Sequence, residues 1–318
     1  MKEWKKVGQL PMKVLDFQLI RNNGIIYILG GDNHKPNSMR KTSSIYKIKE
    51  DFYSDWEKED SELCIPLSHS KAIIKDEKVY LIGGIDNNFK VISDIYMSHI
   101  NNGKIGEWNM CDRLPISLAN TMTLLIDDKI LLFGGVTSNY YVDDNIYSAN
   151  IINNKFIKWE VVGKLPSRII DFEIVKFKDY VYLIGGYDSD LSYPSSNIYM
   201  AKINNNYSLD EWKIINELPI PTSCTRSIAI ENKMYIIGGE HIVDDFIDDN
   251  ISVDKLQTVL CYEIENNGEL SNLKLVSVLP YPISKPEVMV IDKNIYIFGG
   301  VTKNSICLDI ISSKIEIE

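Results

Sequence analysis

Apolar and polar residues alternate along this chain in short runs broken by turns rich in Asn, Asp, Gly and Lys. One such run spans residues 225–230, followed by a turn at Glu231-Asn232 and a second run, 233–237, that ends at Gly238-Gly239. A period of two with many β-branched residues is the pattern of half-buried strands, not of helices. After a loop, a third strand is predicted at a repeated Asn/Asp-Ile-Tyr, seen at 94–96, 145–147 and 197–199. A turn such as Asn101-Asn102-Gly103 follows it, and then a strand carrying tryptophan. Four short antiparallel strands in about fifty residues is the period of a propeller blade.

The unit recurs six times. Gly-Gly pairs stand at 30–31, 83–84, 134–135, 185–186, 238–239 and 299–300. Tyr27, Tyr80, Tyr182, Tyr235 and Tyr296 lie three residues ahead of the first glycine, with Leu131 in the third copy. Pro11, Pro66, Pro115, Pro166, Pro219 and Pro280 open the copies, and Trp4, Trp56, Trp108, Trp159 and Trp212 precede five of them. These aromatics are expected to bury large apolar area between neighbouring sheets. The glycines are expected where a side chain would clash or φ must be positive. Residues 310–315 match 100–105, so the chain stops just before a tryptophan strand is due, and it begins at one, residues 4–7. The first strand is therefore expected to complete the last blade, leaving no open edge.

With Gly-Gly, the following Ile-Tyr, the tryptophan and the Leu-Pro at this period, the chain resembles the kelch repeat family over essentially all 318 residues. The resemblance implies an all-β, six-bladed propeller forming one domain, residues 1–318. It leaves activity open, because kelch propellers serve as partner-binding modules, carbohydrate-active enzymes and oxidases alike.

Composition narrows the field. Forty-four acidic against 34 basic side chains give a net charge of −10. That balance argues against nucleic acid or an anionic membrane as partner. Five scattered cysteines without a CxxC, and a start with no apolar signal region, point to a reducing cytoplasm. A monomer is expected.

Candidate site residues come from the two loop sets expected to share one face. Fourteen residues before the glycines stand Asp16, His69, Asn120, Asp171, Cys224 and Lys285. Two positions later stand Gln18, Lys71, Met122, Glu173, Arg226 and Glu287. A repeat position filled by a different residue in each copy does not serve the common core, so these side chains are expected around the channel mouth. The loops after Gly-Gly add Asp32, Asn33 and His34; Asp86 and Asn87; Asn139, Tyr140 and Tyr141; Tyr187, Asp188 and Tyr193. The fifth copy carries the one insertion, residues 240–258, read as a mobile acidic loop; insertions on one face of a repeat array often mark its binding face. Within it Glu240, Asp244 and Asp248 sit four apart, a partial match to the Glu-x3-Asp-x3-His iron site of plant nitrile-specifier kelch proteins. Carboxylates alone would favour a hard divalent cation such as Mg²⁺ or Ca²⁺. No cofactor is otherwise expected. The sequence shows no GxSxG, HExxH or phosphate-cradling loop.

Two functions follow, beside a purely structural propeller within a larger assembly. The first is a non-catalytic module that binds a protein segment or glycan at the channel mouth through His69, Asn120, Tyr140, Arg168, Tyr187, Arg226, Glu240 and Lys285. The second is a sugar-acid enzyme, by resemblance to the bacterial sialic-acid mutarotase and epimerase propellers. There Arg168 or Arg226 would clamp a carboxylate and Glu173 or Glu240 would carry the proton.

Overall fold

The computed structural model describes residues 3–35, 38–245, 250–303 and 305–315. Every regular element among them is a β-strand, and no helix is long and apolar enough to cross a membrane. The chain packs as two compact units, residues 8–161, and residues 162–318 together with 1–7.

The unit 8–161 contains three four-stranded antiparallel meanders. The first runs Gln18–Asn22, Ile25–Leu29, Ile45–Lys49, Glu57–Lys58. The second runs Lys71–Lys75, Lys78–Ile82, Asp94–Asn101, Asn109–Arg113. The third runs Met122–Ile126, Lys129–Thr137, Val142–Ile152, Lys155–Lys164. Each opens with a tight hairpin. In the second, Lys71 faces Ile82 and Lys75 faces Lys78, across a turn whose residues Asp76 and Glu77 both have positive φ. That left-handed pair is the turn whose twist matches the flanking strands. The alternation then buries one side of each strand: Tyr27, Leu29, Ile45, Val79, Leu81 and Trp108 form one core, and Tyr80, Ile82, Ile130, Leu132 and Phe156 another.

The unit containing 162–318 repeats this plan. Its meanders are Glu173–Phe177, Tyr180–Ile184, Asn197–Lys202, Lys213–Glu217, and Arg226–Ile230, Lys233–Ile237, Thr258–Ile264, Leu270–Val278. The last is Glu287–Ile291, Asn294–Phe298, Asp309–Lys314, with Lys5–Gln9 hydrogen-bonded as its fourth strand.

The glycine pairs lock adjacent meanders together. The second glycine donates its amide to the next copy's chain: Gly84 N to Leu118 O at 2.9 Å, and Gly186 N to Thr222 O at 2.8 Å. The first glycine has no room for a side chain. At Gly83, where φ is +58°, a Cβ would lie 2.2 Å from the Leu118 carbonyl oxygen. Backbone cannot yield to it, so alanine there is excluded by contact and by φ together.

The tryptophans depart from expectation. Only Trp108 is fully buried, at 4% exposure; Trp159 is half-buried on an outer strand, and Trp4, Trp56 and Trp212 are half-buried just ahead of one. For three of them the polar edge explains why, whereas Trp159 stacks on Phe156 at 5.8 Å between ring centroids. Trp56 donates to the Gln9 carbonyl at 2.8 Å, Trp212 to the Lys164 carbonyl at 2.9 Å and Trp4 to Ser277 Oγ at 2.9 Å. These indoles lie across strand edges as clamps instead of filling the core.

Candidate functional site

One register rule brings the two loop sets together within each copy. The second residue past the first glycine pairs with the residue just before the variable position. These pairs are Leu15↔Asp32, Ser68↔Ile85 and Ala119↔Val136 in the unit 8–161. In the other unit they are Ile170↔Tyr187, Ser223↔Glu240 and Ser284↔Val301. The variable residues themselves, Asp16, His69, Asn120, Asp171, Cys224 and Lys285, all have φ between 50° and 55°. None is glycine, so each backbone bears a small strain held by its surroundings. The hold is visible: His69 N donates to Asp16 O at 3.1 Å and Asn120 N to His69 O at 2.8 Å. In the other unit Cys224 N donates to Asp171 O and Lys285 N to Cys224 O, both at 2.9 Å.

In the unit 8–161 this geometry assembles a charged group. His69 Nε2 lies 3.3 Å from Asp16 Oδ2, and His69 Nδ1 lies 3.7 Å from Asp32 Oδ2 and 2.9 Å from Ser68 Oγ. Asp32 is buried, and its Oδ1 accepts from Lys41 Nζ at 3.1 Å, an ion pair out of water on both sides. Lys41 Nζ also sits 4.4 Å from the Phe89 ring centroid, a cation–π contact. Lys41 N donates to Asn87 Oδ1, which ties the first post-glycine loop to the second. Beside them stand three exposed aromatics: Phe89 at 54%, Tyr140 at 66% and Tyr141 at 67% exposure. Tyr140 Oη donates to the Phe89 carbonyl at 2.9 Å.

The unit containing 162–318 assembles a different group. The opening residues of its three first strands, Glu173, Arg226 and Glu287, form a line of charge. Arg226 Nη2 donates to Glu287 Oε1 at 2.8 Å, and Arg226 Nε lies 3.7 Å from Glu173 Oε2. Desolvation works against the guanidinium charge. The Glu287 and Glu173 carboxylates outweigh it and push the Arg226 pKa above its usual value. Cys224 is buried, and burial, reinforced by Asp171, holds its thiol well above the ordinary range, so it is a poor nucleophile. Arg168 is exposed and forks onto the Asp190 carboxylate. Asp190 is correspondingly held below the usual carboxylate range, first by its hydrogen bond from Arg168. Tyr187 is half-buried and pairs in strand with Pro194. Lys285 is half-buried at its variable position.

The acidic insertion is not a loop. Glu240–Asp245 and Asn250–Lys255 form an antiparallel hairpin in which Glu240 faces Lys255 and His241 faces Asp254. Glu240 Oε2 approaches Lys255 Nζ to 4.0 Å. Asp248 lies outside the described residues. Positions 240 and 244 sit on one extended strand, where a four-residue step is roughly 13 Å. That step separates two ligands that a helical spacing would have brought to one ion, so the expected Glu240, Asp244 and Asp248 cation site is not supported.

Two features escaped sequence reasoning. The Lys41 partner of Asp32 needed a cross-strand register, Asp32↔Lys41, that no local pattern specifies. Phe89 had a signal in the repeat: it and Tyr140 both stand six residues past the first glycine of their copies. Both adopt φ near 60° in matching turns, with Phe89 N donating to Asp86 O and Tyr140 N to Thr137 O.

Repeated four-stranded meanders locked by Gly-Gly define a β-propeller protein. Residues 17–239 match the model of the KLHDC2/KLHL20/DRC7 kelch-repeats domain, and the chain belongs to the kelch-repeat family. It is similar to the kelch repeat and BTB domain-containing protein 1 of ectromelia virus (strain Moscow), with 24% identity over 252 residues, covering 78% of this chain and 41% of that protein. It is also similar to the kelch repeat and BTB domain-containing protein 2 of cowpox virus (strain Brighton Red), at 24% over 169 residues, 51% of this chain and 29% of that protein. The chain thus spans less than half the length of these relatives. Among solved structures it resembles YjhT, with a TM-score of 0.77 and 13% identity, covering 97% of both chains, a likeness of fold alone.

Proposed function

We propose that this chain is a binding module that holds a segment of another protein on the face carrying the post-glycine loops. The observation that carries this reading is the pair Phe89 and Tyr140. Two large aromatics occupy the same repeat position, each more than half exposed and each in a left-handed conformation that disfavours bulky residues. Exposed aromatics fixed by hydrogen bonds are the usual anchors of an interface. Family membership supports the same reading, since kelch propellers typically serve protein interaction. The sugar-acid alternative draws less support: the Arg226 donors already face two carboxylates, which a sugar acid would have to displace.

We further infer that the six meanders form one closed, six-bladed ring. The six recurring Gly-Gly units and the place of Lys5–Gln9 beside Asp309–Lys314 support it.

The binding reading is tested by selecting displayed peptides on the intact chain and measuring the winners by fluorescence anisotropy. Phe89→Ala with Tyr140→Ala should weaken them at least tenfold while leaving the melting temperature nearly unchanged. Selected peptides indifferent to both changes would overturn the reading. Binding of a glycan array at this patch, without peptides, would replace it with a carbohydrate-binding one.

A further inference from the structure

We propose that Asp16, Asp32 and His69 form a site for one divalent transition-metal ion, with Zn²⁺ the best match to the donor set. The three residues come from separate segments, and one ligand atom from each lies within 4.8 Å of the others. Zinc bonds of about 2.0–2.2 Å place tetrahedral ligand atoms roughly 3.3–3.5 Å apart. The separation of His69 Nε2 from Asp16 Oδ2, 3.3 Å, already has that value. Asp32 Oδ2 lies 3.7 Å from the other ring nitrogen, Nδ1, so Asp32 has to turn toward Nε2 to complete the set.

The surroundings fit a metal ligand set. Ser68 is fully buried, and its Oγ lies 2.9 Å from His69 Nδ1. In the tautomer whose Nδ1–H donates to that oxygen, the Nε2 lone pair faces Asp16. A metal-bound imidazole characteristically has such an outer partner on its second nitrogen. With that tautomer, a lone pair and a carboxylate face each other, an arrangement that a cation between them relieves. The backbone is set in advance: His69 N–H binds Asp16 O, and Asp32 is fixed by its strand pair with Leu15. Binding therefore orders little that is not already ordered.

The repeat itself supplies a second, independent observation. At the position of Asp32 the other copies carry Ile85, Val136, Tyr187, Glu240 and Val301. Four of these five are apolar or aromatic, so a buried carboxylate there answers no packing need of the repeat. Lys41 offsets the burial of one Asp32 oxygen, Oδ1, and the other, Oδ2, faces the imidazole. Lys41 also sets the selectivity. Two carboxylates less one ammonium leave a weak field for Mg²⁺ or Ca²⁺, which need six or more oxygen ligands. An ion that gains strongly from imidazole is favoured instead.

The test uses the full chain after chelator treatment, titrated with Zn²⁺ by calorimetry and with Co²⁺ by visible absorption. The expected result is saturable binding of one ion per chain with a raised melting temperature. His69→Gln and Asp16→Asn should each lower the affinity about 10- to 100-fold, the scale on which even outer partners of a metal act. Cys64 is an exposed free thiol and a competing zinc ligand, so Cys64→Ser must retain the binding. No stoichiometric ion, binding indifferent to His69→Gln and Asp16→Asn, or binding lost with Cys64→Ser would each overturn the proposal.

Discussion

Arg226 donates to Glu287 across neighbouring first strands at 2.8 Å, and its other edge faces Glu173, whose side chain is only 7% exposed. The sequence placed Arg226 at a ligand-binding rim; its contacts are those of a brace between strands. Arg226→Ala should therefore destabilise the protein by about 3–5 kcal/mol, because it removes the cation that offsets a buried carboxylate. Urea denaturation checks this. Arg226→Ala combined with Glu173→Gln should recover a large part of the loss, and an unchanged midpoint for Arg226→Ala alone would refute the brace.

Two equivalent tyrosines make opposite predictions. Tyr182 Oη donates to the Gly268 carbonyl at 2.8 Å. Tyr27 Oη is buried without a hydrogen-bond partner among the described residues. Tyr182→Phe should cost about 1 kcal/mol, the net worth of a hydrogen bond, whereas Tyr27→Phe should be neutral or stabilising. Paired melting curves decide it.

Alkaline stability should follow the buried tyrosines. Desolvation, with Glu59 adding to it, pushes the Tyr27 phenol from 10.0 up to about 12; desolvation does the same at Tyr262. Above pH 10 the unfolded chain releases these protons while the folded chain keeps them, so stability falls as pH rises from about 10 to about 12. It is constant with respect to these groups below pH 10. Tyr27→Phe should make that fall shallower, measured by chemical denaturation across the range.

The tryptophans should separate by burial. Trp108→Ala should cost about 3–5 kcal/mol, as for other large aromatics removed from a core. Trp56→Ala and Trp212→Ala should cost less, since each gives up a half-exposed ring and one hydrogen bond to a carbonyl. Equal losses at all three positions would contradict the difference in their environments.

The strands, the hairpins and the unit that repeats are all legible in the amino-acid order. Period-two alternation and paired glycines act through neighbours only a few residues away, so they are readable one copy at a time. The two segments that meet are legible too, because the spacing from Asp16 to Gly30 or from His69 to Gly83 is constant. What each variable side chain touches has no such local origin and depends on how the folded copies pack. His69 meets Asp16 and Asp32 because separate copies lie side by side, and Lys41 reaches Asp32 through a hairpin register with no local signature. Arg226 became a brace for the same reason, since Glu173 and Glu287 lie 53 and 61 residues away in the chain and one strand away in space. The acidic insertion shows the limit most plainly: its spacing invited a shared ion, and the extended backbone of residues 240–245 spread those positions apart.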